Sequence, residues 1–109
     1  MPYGLKEKHI NEINGVFEKH LEIEQAILYG SRAASNYRNG SDIDLSLKGE
    51  NISISLLFKI ETALDDLLLP YTIDVSISHK IENPDLLAHI NSVGLVFYEK
   101  VKKGLSISE

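Results

Sequence analysis

Gly30-Ser31-Arg32-Ala33 and, after a short loop, Ser41-Asp42-Ile43-Asp44-Leu45-Ser46-Leu47 form the stretch from which the rest of the chain can be read. Aspartate is disfavoured in strands, yet residues 42–47 alternate strictly, with Asp42, Asp44 and Ser46 on one face and Ile43, Leu45 and Leu47 on the other. This alternation predicts a strand whose apolar face meets a core. With a side-chain period of two, the Cα atoms of the two acids lie roughly 6.6 Å apart, and both carboxylates can grip the same one or two divalent ions. Just upstream, Gly30 allows either a tight turn or a close approach of phosphate to backbone. Ser31 is placed to cap a short helix whose free N–H groups would themselves attract phosphate.

The acidic pattern recurs in Thr72-Ile73-Asp74-Val75-Ser76-Ile77, with Thr72, Asp74 and Ser76 on one face and Ile73, Val75 and Ile77 on the other. If the two strands are sheet neighbours, Asp74 stands beside Asp42 and Asp44 and three acids converge. Hard oxygen ligands with open positions suit Mg²⁺, which keeps several waters and completes its shell with carboxylates and substrate phosphates. A site of this composition is suited to phosphate chemistry.

Gly30-Ser31, Asp42-Ile43-Asp44 and the later Asp74 resemble the Gly-Ser, Asp-x-Asp and third-Asp motif of the DNA polymerase beta-like nucleotidyltransferase superfamily. Chain size and the ending Asn83-Pro84-Asp85-Leu86 through Gly94-Leu95-Val96-Phe97-Tyr98 resemble its minimal nucleotidyltransferases (MNT), the MntA-like antitoxins encoded beside a helical HEPN partner. The resemblance implies an α/β (α+β) fold, a small mixed sheet with helices packed on it. It also implies a two-metal Mg²⁺ site on Asp42, Asp44 and Asp74, with ATP or another NTP held by Gly30 and Ser31. AMP would then move to an acceptor hydroxyl, a tyrosine of the HEPN toxin, making the protein an adenylylating antitoxin. One departure weakens the expected triphosphate grip: many relatives carry a second basic residue and a glycine after Arg-Ala, where this chain has Ala34-Ser35.

Composition narrows the classes. The chain has 109 residues and is expected to form one domain, with a core over about 5–99 and a frayed tail over 100–109. With no cysteine it has no disulfide framework, thiol nucleophile or zinc-thiolate site, which agrees with a cytoplasmic location. The N-terminus lacks an apolar signal region, and no segment reaches the 18 or so apolar residues of a membrane span. Net charge is −5 with a pI near 5.3, so long nucleic acid would be repelled over most of the surface. Both arginines, Arg32 and Arg38, fall between Gly-Ser and Asp-x-Asp. A guanidinium fork matches phosphate oxygens, and both are therefore candidate nucleotide ligands, although chance clustering is an alternative with only two.

Elsewhere, Leu5, Ile10, Ile13, Phe17 and Leu21 mark an amphipathic first helix. Ala26-Ile27-Leu28-Tyr29 reads as a buried strand closed by Gly30, followed by a short helix over Ser31–Tyr37 and a loop at Arg38-Asn39-Gly40. Leu57, Ile60, Leu64, Leu67 and Leu68 mark a second long helix that Pro70 ends. A final helix runs from Asn83 as N-cap and Pro84 at its first position to Gly94, before a last strand at Leu95–Tyr98.

His9, His20, His79 and His89 lack metal-ligand spacing and are read as surface or structural residues. Tyr29 and Tyr37 are read as packing residues, with base or ribose stacking as the alternative. Larger relatives use an added helical domain to present the acceptor, so the acceptor surface here is expected from the HEPN-like partner, in a homodimer or a hetero-oligomer. A reading from a different class is an interaction module that neutralises its partner by binding, with catalysis weak or absent.

Overall fold

The structure, a computed structural model, describes residues 1–101. Its elements run α1 (Glu7–Glu18), β1 (Gln25–Tyr29), α2 (Gly30–Ala34), β2 (Ile43–Lys48), α3 (Ile54–Asp65), β3 (Ile73–Ile77), α4 (Pro84–Val93) and β4 (Leu95–Glu99), with single 3₁₀ turns at Pro2–Gly4 and Ser78–Lys80. The strands form one mixed sheet in the order β3-β2-β1-β4. β1 is antiparallel to both β2 and β4, while β2 and β3 are parallel, joined by a crossover through α3. The α/β (α+β) class with a small mixed sheet is therefore the observed one.

One face of the sheet carries the main core. Ile43, Leu45 and Leu47, the apolar half of the acidic strand, are fully buried there with Leu28, together with Ile13 and Phe17 of α1 and Ile60 of α3. Phe97 and Tyr98 are adjacent in sequence yet both join this core. A register shift between Ala26 and Ile27 explains it: Ala26 pairs with Tyr98 but Ile27 with Val96, so Phe97 is the extra residue of a bulge.

The other face is partly roofed. Ile27 and Tyr29 meet Ile90 of α4, with Ile81, Leu86 and Val93 around them. That helix is capped as its sequence predicts: the Asn83 side chain accepts hydrogen bonds from the N–H groups of Asp85 and Leu86. Among the described residues no helix is long and apolar enough to cross a membrane.

Several sequence expectations are corrected. Leu21 is 72% exposed because α1 stops at Glu18 and the turn after it brings Ile23, not Leu21, into the core. Leu5 is buried but precedes the helix. α2 ends at Ala34, where Ser35 takes the left-handed conformation, and so does not reach Tyr37. α3 ends at Asp65, short of Pro70, and Leu68 lies outside it in a left-handed, solvent-facing turn. Its buried stripe is Leu56, Ile60 and Leu64, a position-by-four repeat that starts one residue earlier than the sequence suggests. The start of the expected frayed tail is anchored, since Lys100 donates its N–H to the Glu24 carbonyl at 2.9 Å and its Nζ to the Leu21 carbonyl at 3.2 Å. The remainder of that tail, from residue 102, lies outside the described residues.

Candidate active site

The parallel ladder sets Asp44 directly opposite Asp74, and Ser46 opposite Ser76. Neighbouring strands are about 4.8 Å apart, so the two carboxylates leave adjacent positions on the same face. Asp42 sits just before β2 and is exposed, at the mouth of the pair. The strand pairing assumed from the two alternating patterns is thus real.

Electrostatics report the same convergence. The Asp44 carboxyl is held above its ordinary range, first by burial and then by the negative charges of Asp74 and Asp42. Tyr29, across from Asp44 in the antiparallel ladder, has its phenol pushed up by burial, opposed by a hydrogen bond with Ser76, and pushed further by Asp44 and Asp74. It is buried as a wall of the site and is not free to stack on a base.

Gly30 closes the other side. Its φ of +76° lies in the left-handed region, and a Cβ built there would collide with the Asp44 carboxylate. Backbone and carboxylate therefore meet at a position that only glycine fits. Ser31 occupies the first turn of α2, partly exposed, but no side chain caps that helix, so the capping role expected of Ser31 is not realised.

The two arginines separate. Arg32 is 2% exposed; its Nε and Nη2 both donate to the Ser41 carbonyl, at 3.1 and 2.9 Å, and its Nη1 donates to the Tyr3 carbonyl at 2.9 Å. The guanidinium lies between the rings of Tyr37 and Tyr71, 5.2 and 5.1 Å from their centroids. Its fork is committed to backbone, and its effect on the site is to fix Ser41, next to Asp42. Tyr37 is correspondingly a stacking partner of Arg32. Arg38 is exposed on the turn, where its N–H donates to Ser41 Oγ at 2.8 Å.

His89, read with the other histidines as a surface or structural residue, stands beside Gly30. From α4 its Nε2 accepts the Gly30 N–H at 3.0 Å, and its ring meets Tyr29 edge-on with centroids 6.2 Å apart. No local pattern announces this contact, which spans 59 residues. His9, by contrast, has the structural role expected of it, with its Nδ1 within 3.3 Å of the Tyr71 hydroxyl.

Among the described residues no three His, Cys, Asp or Glu side chains close into a ready-made metal cage. The donor set nonetheless fits a hard divalent cation, because the negative charges of Asp74 and Asp42 add to the cost of ionising Asp44 and all three side chains offer only oxygens. A separate hollow of about 800 Å³, lined by residues including Gln25, Lys48 and Glu99, lies at the opposite end of the strands from the acids.

The sequence profile described as "Polymerase beta, Nucleotidyltransferase" matches residues 11–103, and the chain belongs to this nucleotidyltransferase family. In fold it is similar to a chain of a toxin–antitoxin complex with AMP-PNP, at 14% identity and a TM-score of 0.65, with 94% of this chain and 80% of that one covered. It is also similar to a chain of the complex of a tri-AMPylated Shewanella oneidensis HEPN toxin with its MNT antitoxin (12% identity, TM-score 0.64, 94% and 79% covered). A chain of the toxin–antitoxin MntA-HepT follows at 13% identity and a TM-score of 0.63, with 87% and 74% covered. No match is found among curated protein sequences.

Proposed function

We propose that this nucleotidyltransferase moves AMP from ATP to a hydroxyl, that of a tyrosine on a HEPN-like helical partner, and so acts as an antitoxin. The observation that carries the reading is the in-register pairing of Asp44 with Asp74 against the left-handed Gly30. Similarity to the complexes with AMP-PNP and with the AMPylated toxin supports the choice of nucleotide and partner.

Asp42 and Asp44 would hold Mg²⁺, with Asp74 contributing to a second ion. Bound there, the metal supplies charge neutralisation at both the attacking and the leaving oxygens of an in-line displacement. Ser31 and the Gly30 backbone would face the outer phosphates, and Arg38, exposed on the turn, would add its guanidinium. The acceptor oxygen forms a bond to the α-phosphorus as the bond to the bridging oxygen breaks; pyrophosphate leaves and the hydroxyl proton passes toward the acidic face. Positioning and fixed charge supply the acceleration, so no histidine or cysteine nucleophile is needed. Arg32 acts one step removed, by holding Ser41 and hence the approach of Asp42. The test is transfer of label from radiolabelled ATP to a co-expressed partner: Asp42→Asn or Asp44→Asn abolishes it, and full labelling by either variant would sink the assignment.

One observation favours a second reading, a partner-binding module with weak catalysis. Two of the expected phosphate donors are already engaged, the Gly30 N–H by His89 and the Arg32 fork by carbonyls. On that reading Asp44→Asn still co-purifies with the partner and still neutralises it.

A further inference from the structure

We propose that His89 is a positioning residue of the nucleotide site, one that occupies the Gly30 amide until a phosphate displaces it. The inference deepens the proposed nucleotidyl transfer and rests on it. Three observations carry it. The Gly30 N–H is donated to His89 Nε2 at 3.0 Å, so that nitrogen is an acceptor and carries no proton. The same Gly30 backbone abuts the Asp44 carboxylate so closely that a Cβ has no room. Finally, His89 is held by its own helix, since α4 packs through Ile90 onto Ile27 and Tyr29, and its ring rests edge-on against Tyr29.

An N–H beside Asp44 is where a phosphate oxygen arriving with a divalent ion would seek a donor. It finds the donor taken. A neutral imidazole is the weaker acceptor, because hydrogen bonds to an ionised oxygen are roughly twice as strong as neutral ones. The phosphate therefore wins the exchange, but the net gain is reduced by the bond that is given up. His89 thereby sets nucleotide affinity without touching the reacting atoms. It also gives the half-buried Gly30 amide a partner when no nucleotide is present.

The experiment is a calorimetric titration of AMP-PNP with excess Mg²⁺ into wild-type protein, His89→Leu and His89→Gln, alongside thermal melts. Leucine keeps apolar contact with Tyr29 but offers no acceptor, so affinity rises by about 3- to 10-fold, the size of one neutral hydrogen bond. Glutamine supplies an acceptor oxygen, and its affinity stays close to that of the wild type. Unchanged or weaker binding by His89→Leu overturns the inference while leaving nucleotidyl transfer intact. If wild-type protein binds no AMP-PNP, both fall together. A second readout needs no variant: in ¹⁵N-labelled wild type the Gly30 amide and the His89 Nε2 resonances shift together on adding AMP-PNP and Mg²⁺. Movement of the Gly30 amide with an unmoved His89 resonance also overturns it.

Discussion

Arg32 grips the carbonyl oxygen of Ser41 with two of its nitrogens, Nε at 3.1 Å and Nη2 at 2.9 Å, while Tyr37 and Tyr71 flank its guanidinium. The clamp lies immediately before Asp42. A residue whose type and position suggest a phosphate ligand is thus buried and used to fix the backbone that presents the first acid.

Arg32→Lys should therefore act first on stability. Lysine keeps the charge but loses the fork and the stacking, at a cost of about 2 kcal/mol from charged hydrogen bonds and cation–π contact. For a domain of this size that lowers the melting temperature by roughly 10 °C. Were the melt unchanged and only ATP affinity reduced, the phosphate role read from the sequence would stand instead.

Asp44 gives a pH-dependent signature. Its folded pKa is raised, by burial first and then by Asp74 and Asp42, so the ionised form is disfavoured in the native state. The folded state then binds more protons than the unfolded one between the ordinary carboxylate pKa and the raised value, and stability falls as pH rises through that window. Above the window the full penalty applies. Without metal, Asp44→Asn should melt higher than wild type at pH 7, with the gap closing as pH is lowered through the window to the ordinary carboxylate range. A lower melting temperature for Asp44→Asn at pH 7 would mean that the carboxylate is a structural group.

Removing the ligand tests the same cluster from the other side. A ligand that binds only the folded state adds RT ln(1 + [L]/Kd), about 2.7 kcal/mol at a hundredfold excess over Kd. Mg²⁺ with AMP-PNP should raise the wild-type melt by roughly 10 °C, and chelation should reverse it. Asp44→Asn should lose most of the increment, whereas an undiminished increment would place the ligand elsewhere.

Gly30→Ala should be destabilising for two separable reasons. A left-handed φ costs a non-glycine residue about 1–2 kcal/mol, and the new methyl must also displace the Asp44 carboxylate. The second cost disappears in an Asp44→Gly background. A double-mutant cycle should show coupling of about 1 kcal/mol or more between the two positions, and strict additivity would mean that they do not touch.

Leu68 offers a test remote from the site. It adopts φ of +55° with its side chain 88% exposed. Leu68→Gly should relieve left-handed strain and raise stability by up to about 1 kcal/mol in a denaturant melt. A loss of stability would show that the leucine makes a contact that outweighs its strain.

Much of this architecture is local and was legible in the chain. Strict alternation over 42–47 and 72–77 specified two strands and their buried faces, because a period of two leaves no other way to sort Ile43, Leu45 and Leu47 from the acids. Asn83, Pro84 and Gly94 marked the ends of α4 for reasons of backbone chemistry. Other helix endings were read less well: α1 has no such marker and α3 stops at Asp65, well before Pro70, so that Leu21 and Leu68 are left in solvent.

What only the tertiary structure decided is what the second sheet face meets. Alternation labels Asp44, Ser46, Asp74 and Ser76 as a polar face, and water is the default neighbour of such a face. α4 instead lies over part of it through Ile27, Tyr29 and Ile90, and Ser46 is fully buried while Asp74 stays exposed. That roof brings His89 to the Gly30 amide, just as the turn at Arg38–Ser41 turns Arg32 inward. Residue type and spacing determine which faces are apolar and where acids can pair. They do not determine which long-range partner claims a given N–H or guanidinium, because that depends on where separate elements dock.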